Sequence, residues 1–365
     1  MDKYFLIFAL LVLSFTSVSC EEEDPQPDNN DEILTPENPQ AKGDRLYGIN
    51  MSEGQYGFET SYEKAKNARI QVLELNIPWN QIETAEGIYT DPWGVLAATS
   101  VYGNDNIKVG FSIAVINTVA WEIPDYLNGV DITSVQFVDA FNNMIDWFME
   151  NVPDHVEIPY LSIGNEVDLV LDGDAEWSDY IYFYQEAANH IHTNYPGINV
   201  GVKTTVMEGV FKDELSKVQD INQYSDLVLL NYYPQNEHFE VLSPEIVESH
   251  FEDIVSYFPQ KEIWITELGY QSGSEYCNSS EAKQAEFYHH LFTAWDTHKD
   301  HIKFILINWL HDQSPATIEE WKDYYGDDPA LVEYLSTLGL INYDGSEKYA
   351  WGQLKEELNT RGWQD

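Results

Sequence analysis

The sequence predicts a single α/β domain closed into a (β/α)8 TIM barrel, and three observations predict it. Eight short apolar runs recur along the chain, segments of helical periodicity lie between them, and no repeat, low-complexity tract or Pro/Gly-rich linker interrupts the series. After residue 43 roughly 320 residues remain, more than most single cores hold but comfortable for one barrel, which typically needs about 250.

The expected strands are 45–50 (RLYGIN), 70–76 (IQVLELN), 107–114 (IKVGFSIA), 156–164 (VEIPYLSIG), 198–204 (INVGVKT), 226–232 (DLVLLNY), 262–268 (EIWITEL) and 302–309 (IKFILINW). They read as nearly continuous apolar stretches, as parallel strands covered on both faces do. Runs such as SVQFVDAFNNMIDWFMENV before the fourth strand and SDYIYFYQEAANHIHTNY after it carry helical spacing. Eight units favour closure over the alternative, an open doubly wound sheet, because closure removes both exposed edges.

Residues 1–19 read as a signal peptide, with Lys3 near a charged start, the apolar run FLIFALLVL, and small residues before Cys20. The apolar run is too short to span a bilayer comfortably. SVSC resembles a bacterial lipobox, which implies cleavage before Cys20, acylation of that cysteine and membrane attachment through the lipid alone. A plain secretory signal with an incidental cysteine is the alternative. Residues 20–43 are acidic, rich in Pro and Asn and poor in apolar side chains, and are expected to be a disordered tether. Acids directly behind the lipidated cysteine also resemble the export signal of Bacteroidota surface lipoproteins, which implies an outer-membrane protein at the cell surface. Acids that merely keep a linker soluble fit the periplasmic face instead. Residues 44–365 then form the barrel. Cys277 is the one remaining cysteine, so no intrachain disulfide is expected and stability rests on the core.

Lysine and arginine number 18 against 63 aspartate and glutamate, a net charge of −45. Such a surface repels polyanions, which argues against DNA, RNA or a strongly sulfated partner and for a neutral substrate. The chain holds 11 Trp and 24 Tyr, and sugar rings lay their C–H faces on aromatic rings, although many of these will be core. Glycine-rich phosphate motifs, a G-x-S-x-G elbow and an H-x3-H zinc pattern are absent. Neither cofactor nor metal is expected: the acidic stretch 168–179 lacks EF-hand spacing. The chain is expected to be a monomer.

Active sites of such barrels lie at the C-terminal ends of the strands. SIGNEVD ends the fourth strand and sets Asn165 and Glu166 at the rim; WITELGY ends the seventh and sets Glu267 there. Three strands apart around the barrel, the two glutamates can face each other across the mouth. A glycosidic oxygen is a poor leaving group, so its cleavage needs one carboxyl that arrives protonated and one that is ionised.

An Asn-Glu pair ending strand four and a Glu ending strand seven resemble clan A of the glycoside hydrolases, the retaining (β/α)8 β-glycosidases. The resemblance runs from about Arg45 to Trp363. It implies Glu166 as general acid/base, Glu267 as nucleophile and Asn165 as donor to the substrate 2-hydroxyl. It also implies a Tyr hydroxyl on the nucleophile, from Tyr232 or Tyr233, and a sugar platform at Trp309. PWNQIETAEGIY at 78–89 is similar to the clan's W-x-x-I-E-x-x-x-G-x-Y stretch, and GLINYDGSEKYAWGQL at 339–354 to its last turn and helix. Much of the clan carries an arginine at the end of strand two, where this chain has Glu74, Leu75 and Asn76, with Arg69 at the wrong end. Lys203, ending strand five, is either the substitute cation or a surface lysine paired with an acid.

Trp79 and Trp121, on the loops after strands two and three, are further candidate substrate contacts or core residues, and His311 with Asp312 either touch substrate or form a solvated pair. The expected activity is hydrolysis of a neutral β-linked polysaccharide, such as a β-glucan, galactan, mannan or xylan, by a retaining endo-acting enzyme with an open cleft. The alternative is a surface glycan-binding lipoprotein on an inactive barrel.

Overall fold

The computed structural model describes residues 33–363; the expected signal peptide, Cys20 and the first part of the tether lie outside the described residues. Eight parallel barrel strands follow the expected order: β1 Leu46–Ile49, β2 Val72–Pro78, β3 Lys108–Asn117, β4 Tyr160–Asn165, β5 in two pieces at Asn199–Gly201 and Lys203–Thr205, β6 Leu227–Tyr232, β7 Glu262–Leu268 and β8 Ile302–Ile307. Neighbours pair parallel from β4 through β3, β2, β1, β8 and β7 to β6. The broken β5 closes the circle: its first piece pairs with β4 at Leu161↔Val200, and its second pairs with β6 at Leu230↔Thr204.

Two apolar layers hold the barrel. Inside it, Val72, Tyr160, Leu229, Trp264, Phe304 and Leu306 form a buried plug. Tyr160 is large for that space, and Gly110 faces it. A Cβ on Gly110 would lie 2.4 Å from the Tyr160 ring, which explains a glycine in the middle of an otherwise apolar strand. Outside, helices bury their apolar faces on the strands: α1 Gly57–Asn67, α2 Val135–Asn151, α3 Gly173–Asn194, α4 Leu215–Ile221, α5 Ile246–Tyr257 and α6 Glu281–Thr297. Ser134 caps α2 by accepting from the Phe137 N–H, and Ser280 caps α6 through the Lys283 N–H. After β8 come α7 Pro315–Tyr325, α8 Pro329–Ser336 and the closing helix α9 Tyr349–Thr360.

Part of the expected tether is not free. The Leu34 backbone exchanges hydrogen bonds with the Gln353 side chain on α9, at 2.7 and 2.8 Å. The Gln40 N–H donates to Asp296 at the end of α6, and the Lys42 N–H donates to the Arg361 carbonyl. Arg45 and Arg361 both pair with Asp296, at 2.9 and 2.8 Å, in a buried cluster beneath the barrel. Helix C-termini in a βα barrel lie at the N-terminal ends of the strands, so residues 33–44 run along the side and floor of the barrel, away from the mouth.

The clan-like stretch 78–89 forms a short helix, Trp79–Ile82, and a two-stranded hairpin of Glu83–Ala85 with Ile88–Tyr89. Glu83 is buried and accepts from the Trp79 indole N–H (3.0 Å), the Gly87 N–H (2.9 Å) and the Tyr126 hydroxyl (2.7 Å). The motif therefore staples the loop after β2 to the barrel wall. Trp79, a candidate sugar contact in the sequence, is fully buried with its ring edge-on to Phe137 and Phe141.

Candidate active site

The strand ends converge on a cavity of about 870 Å³ at the mouth, lined by both Glu166 and Glu267. Glu166 follows β4 in the left-handed region, φ +51°, which costs a non-glycine residue energy and persists only where the surroundings hold it. They do so closely. The Thr118 hydroxyl donates to Glu166 Oε2 at 2.7 Å, and the Asn231 amide donates to Oε1 at 3.1 Å. Two residues on, Asp168 accepts from the Thr205 N–H and hydroxyl at 2.9 and 2.6 Å, pinning the turn after β4 to the end of β5. Burial, and next the charge of Glu267, push the Glu166 carboxyl up to about 7.

Asn165 lies beside Glu166 and is almost fully buried. Its carbonyl oxygen accepts from Asn231, while its amide donates to Asn117 Oδ1 at 3.1 Å and to the Thr118 hydroxyl at 3.3 Å. The amide reaches the cavity with its orientation fixed from both sides.

Glu267 sits in a different environment. Lys203 Nζ donates to its Oε1 at 2.6 Å, and its Oε2 accepts from the Tyr233 hydroxyl at 2.9 Å and the Asn308 amide at 3.2 Å. Asn308 is itself held by Asn50, whose amide donates to Asn308 Oδ1 at 2.7 Å. Lys203 has no exposed side-chain surface, so of the two sequence readings it is the buried cation and not a surface lysine. Its second partner is Glu74, 2.6 Å away, which also accepts from the Tyr160 hydroxyl at 2.6 Å. The plug of the barrel interior thus supplies the floor of the site. Burial alone lowers the Lys203 pKa, but Glu267 and Glu74 outweigh it and the net shift is upward, so the lysine stays charged through the neutral range. Burial raises the Glu74 carboxyl against the pull of Lys203.

Several candidate contacts are corrected by their positions. Tyr232 points outward into the helix layer, fully buried, with its hydroxyl 2.9 Å from His250 Nδ1; strand alternation gives the cavity to Tyr233 instead. His311 is buried with Nδ1 3.1 Å from the Ser52 carbonyl, and Asp312 pairs with Lys348 at 2.7 Å, so the two are structural and neither lines the cavity. Trp121 turns back to pair with β3 and meets Tyr180 edge-on at 6.0 Å, outside the cavity. Trp309 does line it, half-buried and 5.3 Å from Trp321, and the Asn308–Trp309 peptide bond is cis.

Sequence reasoning missed two groups. Thr118, Asn231 and Asn308 hold the glutamates, yet isolated polar residues at strand ends carry no motif. Trp321, Tyr325 and Tyr334 line the cavity from the α7–α8 insertion. The aromatic density of WKDYYGDDPALVEYL is the signal that points to them.

No family model matches the sequence, and no curated protein gives a significant match. Solved structures do. An exo-beta-1,4-mannosidase from Opitutaceae bacterium strain TAV5 superposes with a TM-score of 0.63 at 12% identity, over 90% of this chain and 62% of that one. The chain therefore spans less than two thirds of the mannosidase. A GH5_18 protein from Bifidobacterium longum subsp. infantis gives 0.65 at 12% identity, over 87% of this chain and 78% of that one. A beta-glucosidase from Thermotoga maritima gives 0.62 at 13%, over 88% and 99%. What the likeness shows is the fold. It is the (β/α)8 barrel that the eight strand-like runs predict.

Proposed function

We propose that this protein is a retaining β-glycosidase in which Glu166 is the acid/base and Glu267 the nucleophile. The observation that carries the reading is the pair of carboxylates facing one cavity in opposed environments: Glu166 buried and held near pH 7, Glu267 ion-paired with Lys203. Mannosidase, GH5_18 and glucosidase neighbours of the same barrel are consistent with it.

Protonated Glu166 donates to the glycosidic oxygen as Glu267 attacks the anomeric carbon, forming a glycosyl ester and releasing the aglycone alcohol. Esterification removes the charge of Glu267, the second cause of the raised Glu166 pKa, so Glu166 becomes more acidic and is ready to take a proton from water. Water then displaces the ester and Glu166 is reprotonated. Through both steps Glu74 keeps Lys203 paired. Asn165, whose amide donates to Asn117 and Thr118 in the free enzyme, would turn one of those N–H groups to the substrate 2-hydroxyl. Among the described residues no lysine or arginine lines the cavity, while Glu53, Glu208 and Glu237 do, which supports a neutral glycan. The lipobox-like SVSC and the acids behind it support a lipid-anchored enzyme at the outer surface of the cell, with the periplasmic face as the alternative.

Proton NMR of the first product should show the β-anomer; an α-anomer overturns the retaining mechanism, and glycan binding with no reducing ends released from β-glucans, galactans, mannans or xylans favours the inactive-barrel alternative. The pH profile of kcat/KM should fall as pH rises through about 7, because the loss is of the proton Glu166 must donate. A profile flat to alkaline pH would remove Glu166 from that role.

A further inference from the structure

The chain between β8 and α9 crosses the mouth of the barrel. Leaving β8, α7 reaches the end of β3, three strands away, where the Tyr324 hydroxyl donates to the Asn117 carbonyl at 2.9 Å and lies 2.8 Å from Glu122 Oε1. There the chain turns, and α8 returns to the opposite rim. Tyr334 packs edge-on against Tyr233 and stacks on Phe239, both at 5.7 Å. Glu333 accepts from the backbone N–H groups of Glu275, Tyr276 and Cys277 in the loop after β7, at 2.9, 2.6 and 2.7 Å. The insertion is thus fastened on both sides of the cavity. Its underside contributes Trp321, Tyr325 and Tyr334 to the cavity lining, and the Tyr325 and Tyr334 hydroxyls feel the charges of Glu166 and Glu267.

An open cleft built for a polymer would leave this region clear. Here the cavity volume, about 870 Å³, lies in the range of pockets that hold small ligands. The aromatic rings that line the cavity with the carboxylates suit the C–H faces of a few sugar rings. A polymer segment laid across the mouth from the side would have to pass through the strap.

We infer that the strap formed by α7 and α8 restricts the site to chain ends and short β-linked oligosaccharides. The inference rests on the glycosidase reading and narrows it away from the endo action that the proposed surface location favours. Trp321, Tyr325 and Tyr334 are its specificity-determining residues, and Tyr324 is the clasp.

Viscometry run beside a reducing-end assay tests it, on a neutral β-glycan the protein hydrolyses and on the short oligosaccharides of the same linkage. Reducing ends should appear as small products of one size while the viscosity holds, with the oligosaccharides turned over severalfold faster than the polymer. In Tyr324→Ala, whose side chain is partly exposed, the freed strap should raise the ratio of viscosity-lowering cleavage to oligosaccharide turnover severalfold. An early fall in viscosity with the wild-type protein overturns the strap's role and leaves the glycosidase reading intact. Absence of hydrolysis on every β-glycan and on aryl β-glycosides overturns both.

Discussion

Glu166→Gln should lower turnover of a natural glycan by about 10²- to 10⁴-fold, the usual contribution of a positioned general acid. The same variant should form its glycosyl-enzyme almost normally from an aryl β-glycoside, whose phenolate leaves without a proton. Glu267→Gln should lose turnover on both substrates, because no ester can form without the carboxylate. The contrast between the two leaving groups separates the roles. Equal losses in both variants on both substrates would mean that Glu166 acts on something other than leaving-group departure. Both variants keep the side-chain shape and part of the hydrogen bonding to Thr118, Asn231, Tyr233 and Asn308, so circular dichroism should match the wild type.

Lys203→Met is expected to have the second largest effect, on stability and on the pH profile together. Its removal leaves Glu74 and Glu267 facing each other with no cation between them, and breaking a buried ion pair by deleting one partner typically costs about 3–5 kcal/mol. The two carboxylates would then share a proton. With no cation to offset their repulsion, the acid limb of the profile should move upward and kcat fall, in addition to a lower denaturant midpoint. Glu74→Gln offers the matched control: Lys203 then serves Glu267 alone, and the acid limb should move down with far less loss of activity. An unchanged acid limb in Lys203→Met would show that the lysine is structural only.

Much of this arrangement is legible in the sequence, and the reason is periodicity. Eight apolar runs of parallel-strand character leave few ways to close a sheet, and the rule that function gathers at strand C-termini selects Asn165, Glu166 and Glu267. The break of β5 at Val202 was not legible, since an unpaired residue inside an apolar run looks like any other. Lys203 illustrates the limit more sharply. A lysine at a strand end is consistent with exposure or burial, and only the register that places Glu74 opposite decides between them. Tyr232 and Tyr233 differ by one position, and with it by the whole thickness of the barrel wall. Trp79 and His311 misled because aromatic and imidazole groups near strand ends serve packing as readily as recognition. The α7–α8 insertion lies beyond the last strand, where no barrel rule governs what a loop does.

The hydrogen bonds that hold residues 33–44 to α9 and the barrel floor would set how the proposed lipid anchor meets the molecule. Under the proposed acylation of Cys20, the stretch up to Ile33 would join the lipid to the first fixed point, a reach of at most roughly 45 Å when fully extended. That point, Leu34 against Gln353 of α9, lies on the flank of the barrel. A leash attached there would leave the mouth uncovered, and a glycan fragment could dock from solution without first passing under its own tether.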